Sequence, residues 1–169
     1  QIARIVRKCQ ELPGQELFAY VDDAGRVRDV KSNDVNQYLQ QITGDSFTAK
    51  DFRTWAGTVL AATALREFEK FDSQAQAKKH LVQAIEHVAE RLGNTKTVCR
   101  KCYVHPLILD SFLDGSLVKL LQMKAEDELK HISHLRPDEA AVMGMLQQNL
   151  KRRAKPGVRL ISGRSIRGG

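Results

Sequence analysis

The 169-residue sequence predicts a mainly α fold with at most a small β-hairpin, and three observations predict it. Apolar residues recur three and four positions apart over most of the chain, which is the spacing of one helix face. Those stretches open on Ser, Thr or Asn and close on Gly, the residues that satisfy the unpaired amides and carbonyls of helix ends. Strand-like sequence is confined to two short runs around Asp23-Ala24-Gly25.

The elements follow in order. Ile2, Ile5, Val6, Cys9 and Leu12 form a helical stripe that Pro13-Gly14 closes. "ELFAYVDDAGRVRDVK" reads as a small hairpin or an irregular loop. Ser32 or Asn33 then caps a helix through "DVNQYLQQI" that stops at Gly44. In "SFTAKDFRTWAGTVLAATALREFEKF" a core helix starts at Ser46 or Thr48, with Phe52, Trp55, Val59, Leu60, Thr63 and Ala64 on its inner side. A second long helix runs from a Ser73 cap to a Gly93 stop, burying Leu81, Val82, Ile85, Val88, Ala89 and Leu92. A short helix is expected over Thr97–Tyr103. Further helices are expected over 106–114, 116–131 and 137–153, with Pro137 as a good first-turn residue.

Length suits one domain, expected over residues 1–153 and large enough to bury its own core. No apolar run is long enough to cross a membrane, and no leader with a cleavage site is apparent, so a soluble cytoplasmic protein is expected. Three cysteines, an odd number, do not read as a secreted disulfide framework.

The net charge of +7 is unevenly placed. Residues 151–169 hold Lys151, Arg152, Arg153, Lys155, Arg159, Arg164 and Arg167 and no acidic residue, so residues 1–150 are balanced at twenty of each sign. A basic tail over 154–169, rich in Gly and Ser, is expected to be disordered, and a nucleic-acid contact is its functional reading. A merely solvated tail is the alternative.

"NTKTVCRKCYVHP", residues 94–106, places Tyr103 among cations and two cysteines. A zinc site needs about four ligands, usually as two separated pairs, and His105 stands too close behind Cys102 to supply the second. No strand precedes the C-x-x-C, as a thioredoxin-type redox pair would require. Two cysteines packed as small hydrophobes on one helix face are the expected reading. Tyr103 differs because of its neighbours. A phenol ionises only near pH ~10 and needs cations to act as a nucleophile at neutral pH. Lys96, Arg100 and Lys101 lie close in sequence.

"AKDFRTWAGTVLA" (49–61) and "LGNTKTVCRKCYVHPLIL" (92–109) together resemble the two C-terminal active-site motifs of the type IB DNA topoisomerases, closest to the small bacterial and viral branch. The resemblance covers residues 1–115 well and the rest more loosely. It implies the helical catalytic domain shared by these enzymes and the tyrosine recombinases. It implies a tyrosine, Tyr103, that attacks a DNA phosphodiester to form a 3′-phosphotyrosyl link and relaxes supercoils without ATP or an obligatory metal. By position Arg53 would be the second phosphate-binding arginine. Asn94, nine residues before Tyr103, would fill a slot occupied by histidine in many members. A guanidinium fork matches two phosphate oxygens, whereas an amide brings no charge. Lys96, Arg100, Lys101, Lys151, Arg152 and Arg153 are the expected DNA-backbone contacts.

The resemblance also implies that the family's first arginine and general-acid lysine belong upstream of Gln1, together with an N-terminal domain that completes a clamp on duplex DNA. None of Lys8, Lys31 or Lys50 sits in a matching motif. The chain is thus expected to be the C-terminal piece of the catalytic domain, monomeric and inactive alone. A tyrosine recombinase is the neighbouring alternative, but it usually carries H-x-x-R where this chain has Lys50-Asp51-Phe52-Arg53. A non-catalytic helical DNA-binding module is the third.

Overall fold

The structure, a computed structural model, describes residues 1–68, 71–128 and 134–154, without the side chains of 123–128, 153 and 154. Expectations for 129–133 and for the tail beyond Ala154 lie outside the described residues. The chain is mainly helical, and its strands pair as one two-stranded sheet among the described residues. Its contacts separate residues 1–53 from those that follow, so the two units are described in turn.

In the first unit, α1 (Ile2–Gln10) leads into β1 (Ala19–Val21) and β2 (Val27–Asp29). The strands pair antiparallel, with Tyr20 opposite Arg28. Asp22 decides hairpin over loop. Its Oδ1 accepts the amides of Ala24 (3.0 Å) and Arg26 (2.9 Å), and its Oδ2 accepts Nε of Arg26 and Arg28, both at 3.1 Å. Such a carboxylate mimics a backbone turn. The Arg26 amide, with the other donors, holds this carboxyl below its usual range. Gly25 takes the left-handed conformation the turn needs (φ 74°).

Helix α2 (Ser32–Thr43) ends at Gly44, as the sequence predicts, in the left-handed conformation. Its N-cap is Lys31 rather than Ser32 or Asn33, because Asp34 reaches back to the Lys31 amide (2.7 Å). Helix α3 (Ala49–Arg66) crosses from the first unit into the second. Its start is fixed by Asp51, which accepts the Thr48 amide (2.8 Å) and hydroxyl (2.7 Å). Those two bonds, the hydroxyl's first, lower the Asp51 pKa.

The second unit holds the main core. Helix α4 (Gln74–Leu92) begins at Ser73, whose hydroxyl accepts the Gln76 amide (3.2 Å). It ends in left-handed Gly93, where Gly93 N–H reaches Glu90 O (3.3 Å) and Asn94 N–H reaches Ala89 O (2.9 Å). That pair of bonds is the Schellman arrangement. A single turn, α5 (Lys96–Val98), runs into a π turn (Cys99–Tyr103). Then come α6 (Pro106–Leu113), α7 (Leu117–Glu128) and α8 (Pro137–Ala154). Leu65, Val88, Cys99, Ile108, Leu117, Val142 and Met145 are among the fully buried side chains that join these elements.

The buried faces match the expected ones in part: Val59 on α3 and Leu81, Ile85, Val88 and Ala89 on α4 are buried as expected. On α3 the core side is Thr58, Val59, Ala61, Ala62 and Leu65, while Phe52 is 51% exposed and Trp55, Leu60 and Ala64 only border the core. On α4, Ala77 and Ala84 are buried and Val82 is exposed. Apolar residues surround much of α3, so the elements packed against it, and not sequence period alone, select the buried side. Among the described residues, no helix is long and apolar enough to cross a membrane.

Candidate active site

The segment around Tyr103 is built from a wide helical turn and an abrupt exit. The Val104 amide donates to the Cys99 carbonyl (3.1 Å), an i to i+5 bond that defines the π turn. Single π turns of this kind are rare and cluster at functional sites. The chain then turns extended at Val104 (φ −115°, ψ 124°) and His105 (φ −65°, ψ 130°). Pro106 enforces the second of these, since its ring disfavours a helical residue before it. His105 caps α6, with Nδ1 accepting the Leu107 amide (3.2 Å).

That exit strips the turn's last carbonyls of helical partners, and α3 supplies replacements. The Thr54 hydroxyl donates to the Cys102 carbonyl (3.4 Å). The Thr58 hydroxyl donates to the Tyr103 carbonyl (3.4 Å) and accepts the His105 amide (3.1 Å). Thr58 is 2% exposed, so water does not substitute. Leaving such buried groups unpaired costs about 1–3 kcal/mol.

The π turn sorts its side chains. Cys99 points into the core, Tyr103 is half-buried against it, and Arg100, Lys101 and Cys102 are exposed. The expectation that both cysteines pack on one face is therefore corrected for Cys102. The wider turn advances each side chain by a smaller angle, which separates a pair three residues apart. Among the described residues, no group of three or more His, Cys, Asp or Glu could hold a metal ion.

Asn94 is half-buried just beyond the α4 stop, and its amide donates to the Leu92 carbonyl (2.9 Å). One of its two N–H donors is thereby committed locally. It lines a shallow groove with Glu86, Glu90 and Lys96. The Lys96 ammonium pairs with the Glu86 carboxylate. Arg100 and Lys101 line a separate groove with Pro106 and Asp110 of α6. Arg53 is half-buried on α3, at the end of the first unit. Its neighbour Phe52 meets Phe47 edge-on, with centroids 6.4 Å apart. Lys151 and Arg152 are exposed near the C-terminal end of α8, and the side chain of Arg153 lies outside the described residues.

A family model described as the catalytic core of eukaryotic DNA topoisomerase I matches residues 1–132. The chain belongs to the type IB topoisomerase family. Mimivirus (Acanthamoeba polyphaga mimivirus) encodes a similar protein, DNA topoisomerase 1B, 31% identical over 114 residues. That match covers 63% of this chain and 34% of the viral protein, so the chain spans about a third of its relative's length.

The matched range spans positions 53, 94 and 103, and the structure places beside Tyr103 two residues that motif reading passes over. Gly57 lies inside α3, where glycine costs about 1 kcal/mol against alanine. A Cβ there would lie 2.5 Å from the Tyr103 carbonyl oxygen and 3.2 Å from Leu92 Cδ1. Glycine at this position lets the π turn rest directly on the α3 backbone. Its oddity in a helix interior, followed by a hydroxyl residue, is the sequence signal that could have marked the pair. Gly57→Ala should lower stability by about 1–2 kcal/mol in urea unfolding, because the obstructing atom is backbone and must shift. Alanine's better helix propensity acts the other way, so a rise in stability would contradict the close contact.

Proposed function

We propose that this chain carries the nucleophile and part of the phosphate-binding apparatus of an ATP-independent DNA topoisomerase. The observation that supports it most is a family match that runs through Arg53, Asn94 and Tyr103, with Tyr103 ending a braced π turn. On this reading the Tyr103 oxygen attacks a DNA phosphorus in line, and the bond from phosphorus to the 5′-oxygen breaks. The phenol gives up its proton, the leaving 5′-oxygen gains one, and the strand's 3′ end stays joined to the tyrosine. The phosphotyrosyl ester conserves the energy of the original diester. After the free strand has swivelled, its 5′-hydroxyl reverses the step with no nucleotide consumed.

Arg53 would hold two nonbridging oxygens with its planar fork as charge builds on them. Asn94 would offer its remaining N–H, a neutral and weaker donor. Arg100, Lys101, Lys151, Arg152 and Arg153 would contact phosphates along the duplex. Lys96 would contribute less, since Glu86 already pairs with it. The family's first arginine and general-acid lysine are not assigned to residues 1–169. The chain alone is accordingly not expected to relax plasmid.

The test is a nicked or truncated duplex whose 5′-leaving strand diffuses away, incubated with the full-length gene product without ATP and with chelator. A covalent adduct whose DNA maps to Tyr103 by peptide mass spectrometry is expected. An adduct on another residue, or none, would overturn the proposal.

A further inference from the structure

Thr58 does more than fill a hydrogen-bond vacancy. Its one hydroxyl donates to the Tyr103 carbonyl (3.4 Å) and accepts the His105 amide (3.1 Å). It therefore grips the backbone on both sides of Val104. Thr54, one helical turn earlier on the same face of α3, takes the preceding carbonyl, that of Cys102 (3.4 Å). Between them Gly57 presents no side chain, so the Tyr103 carbonyl can lie against the helix.

We infer that Thr58, assisted by Thr54 and Gly57, is a positioning residue that aims the Tyr103 phenol by fixing the peptide planes next to it. The inference rests on the reading of Tyr103 as the nucleophile. Tyr103 is half-buried against the core, so its course depends on the backbone that carries it as well as on packing. A side chain's course is set first by its backbone frame, through the rotamers that frame allows. Where the π turn gives way to the extended segment, the Cys102 and Tyr103 carbonyls accept hydroxyls from α3, which ties this frame to the helix. In-line attack tolerates little misalignment, and a displacement of about 1 Å can cost on the order of 10²-fold in rate.

The test uses the full-length gene product with Thr58→Val, which keeps the shape and removes the hydroxyl, and Thr58→Ser, which keeps the hydroxyl. Single-turnover cleavage of a trapping duplex, duplex affinity and melting temperature are measured for each. Thr58→Val is expected to cleave about 10- to 100-fold slower per folded molecule at unchanged affinity, with Thr58→Ser restoring most of the rate. Parental cleavage by folded Thr58→Val, or equal defects in the valine and serine variants, would overturn the inference and leave Thr58 a stability residue. If Thr58→Val does not fold, Thr54→Val at the half-exposed end of the seat replaces it. Slower cleavage with an unchanged melting temperature then supports the inference, and a parental rate overturns it. Tyr103→Phe is run alongside. Adducts in that variant would remove the nucleophile reading and this inference with it, whereas their loss beside a parental Thr58→Val rate would remove this inference only.

Discussion

Tyr103→Phe in the full-length gene product is expected to eliminate the covalent DNA adduct while leaving non-covalent duplex binding nearly intact. The substitution removes one oxygen, the atom that would bond to phosphorus. It keeps the ring that borders the core, so the π turn should fold as before. Binding should survive because on the proposed reading many backbone contacts would hold the duplex, of which the phenol would be at most one. Covalent trapping on denaturing gels reads the first effect, and filter binding at fixed salt reads the second. Plasmid relaxation at the parental rate by the phenylalanine variant would remove Tyr103 from the mechanism. Loss of both cleavage and binding would point instead to a structural role for the hydroxyl.

Arg53→Lys should slow cleavage by about 10²–10³-fold, with little change in duplex affinity. Lysine retains the charge and much of the stem, so a purely electrostatic role would show a small effect. What it loses is the planar pair of donors that can hold two oxygens of a phosphorane-like state at once. That state differs from the ground-state phosphate mainly in the charge on those oxygens. The loss should therefore appear in the rate of the chemical step and not in binding. Single-turnover cleavage at saturating protein separates the two. A lysine variant that cleaves at the parental rate would place Arg53 outside the site.

Much of the chain was legible because its signals are local. Ser73 and Gly93 bound α4, Gly44 stops α2, and Pro106 and Pro137 open α6 and α8. Each acts through hydrogen bonds or sterics within a few residues of itself. The residues proposed for chemistry, Arg53, Asn94 and Tyr103, come from two short motifs in order, a reading that the cleavage experiments test. The faces of α3 and α4 were harder. In α3 large apolar residues surround much of the helix, and periodicity could not foretell that Ala61, Ala62 and Leu65 would meet the partner while Phe52 would not.

The sequence by itself determined the helical class, the helix ends marked by Ser73, Gly44, Gly93, Pro106 and Pro137, and the family, because propensity, capping and motif order are written along the chain. Only the tertiary structure decided the π turn, the outward Cys102 and the seat beneath Tyr103. A five-residue π turn leaves no periodicity to detect. The hydroxyl that braces it is Thr58, 45 residues before Tyr103 in sequence. Its role exists only once α3 has packed against the turn, where burial excludes water and makes each unpaired carbonyl and amide costly.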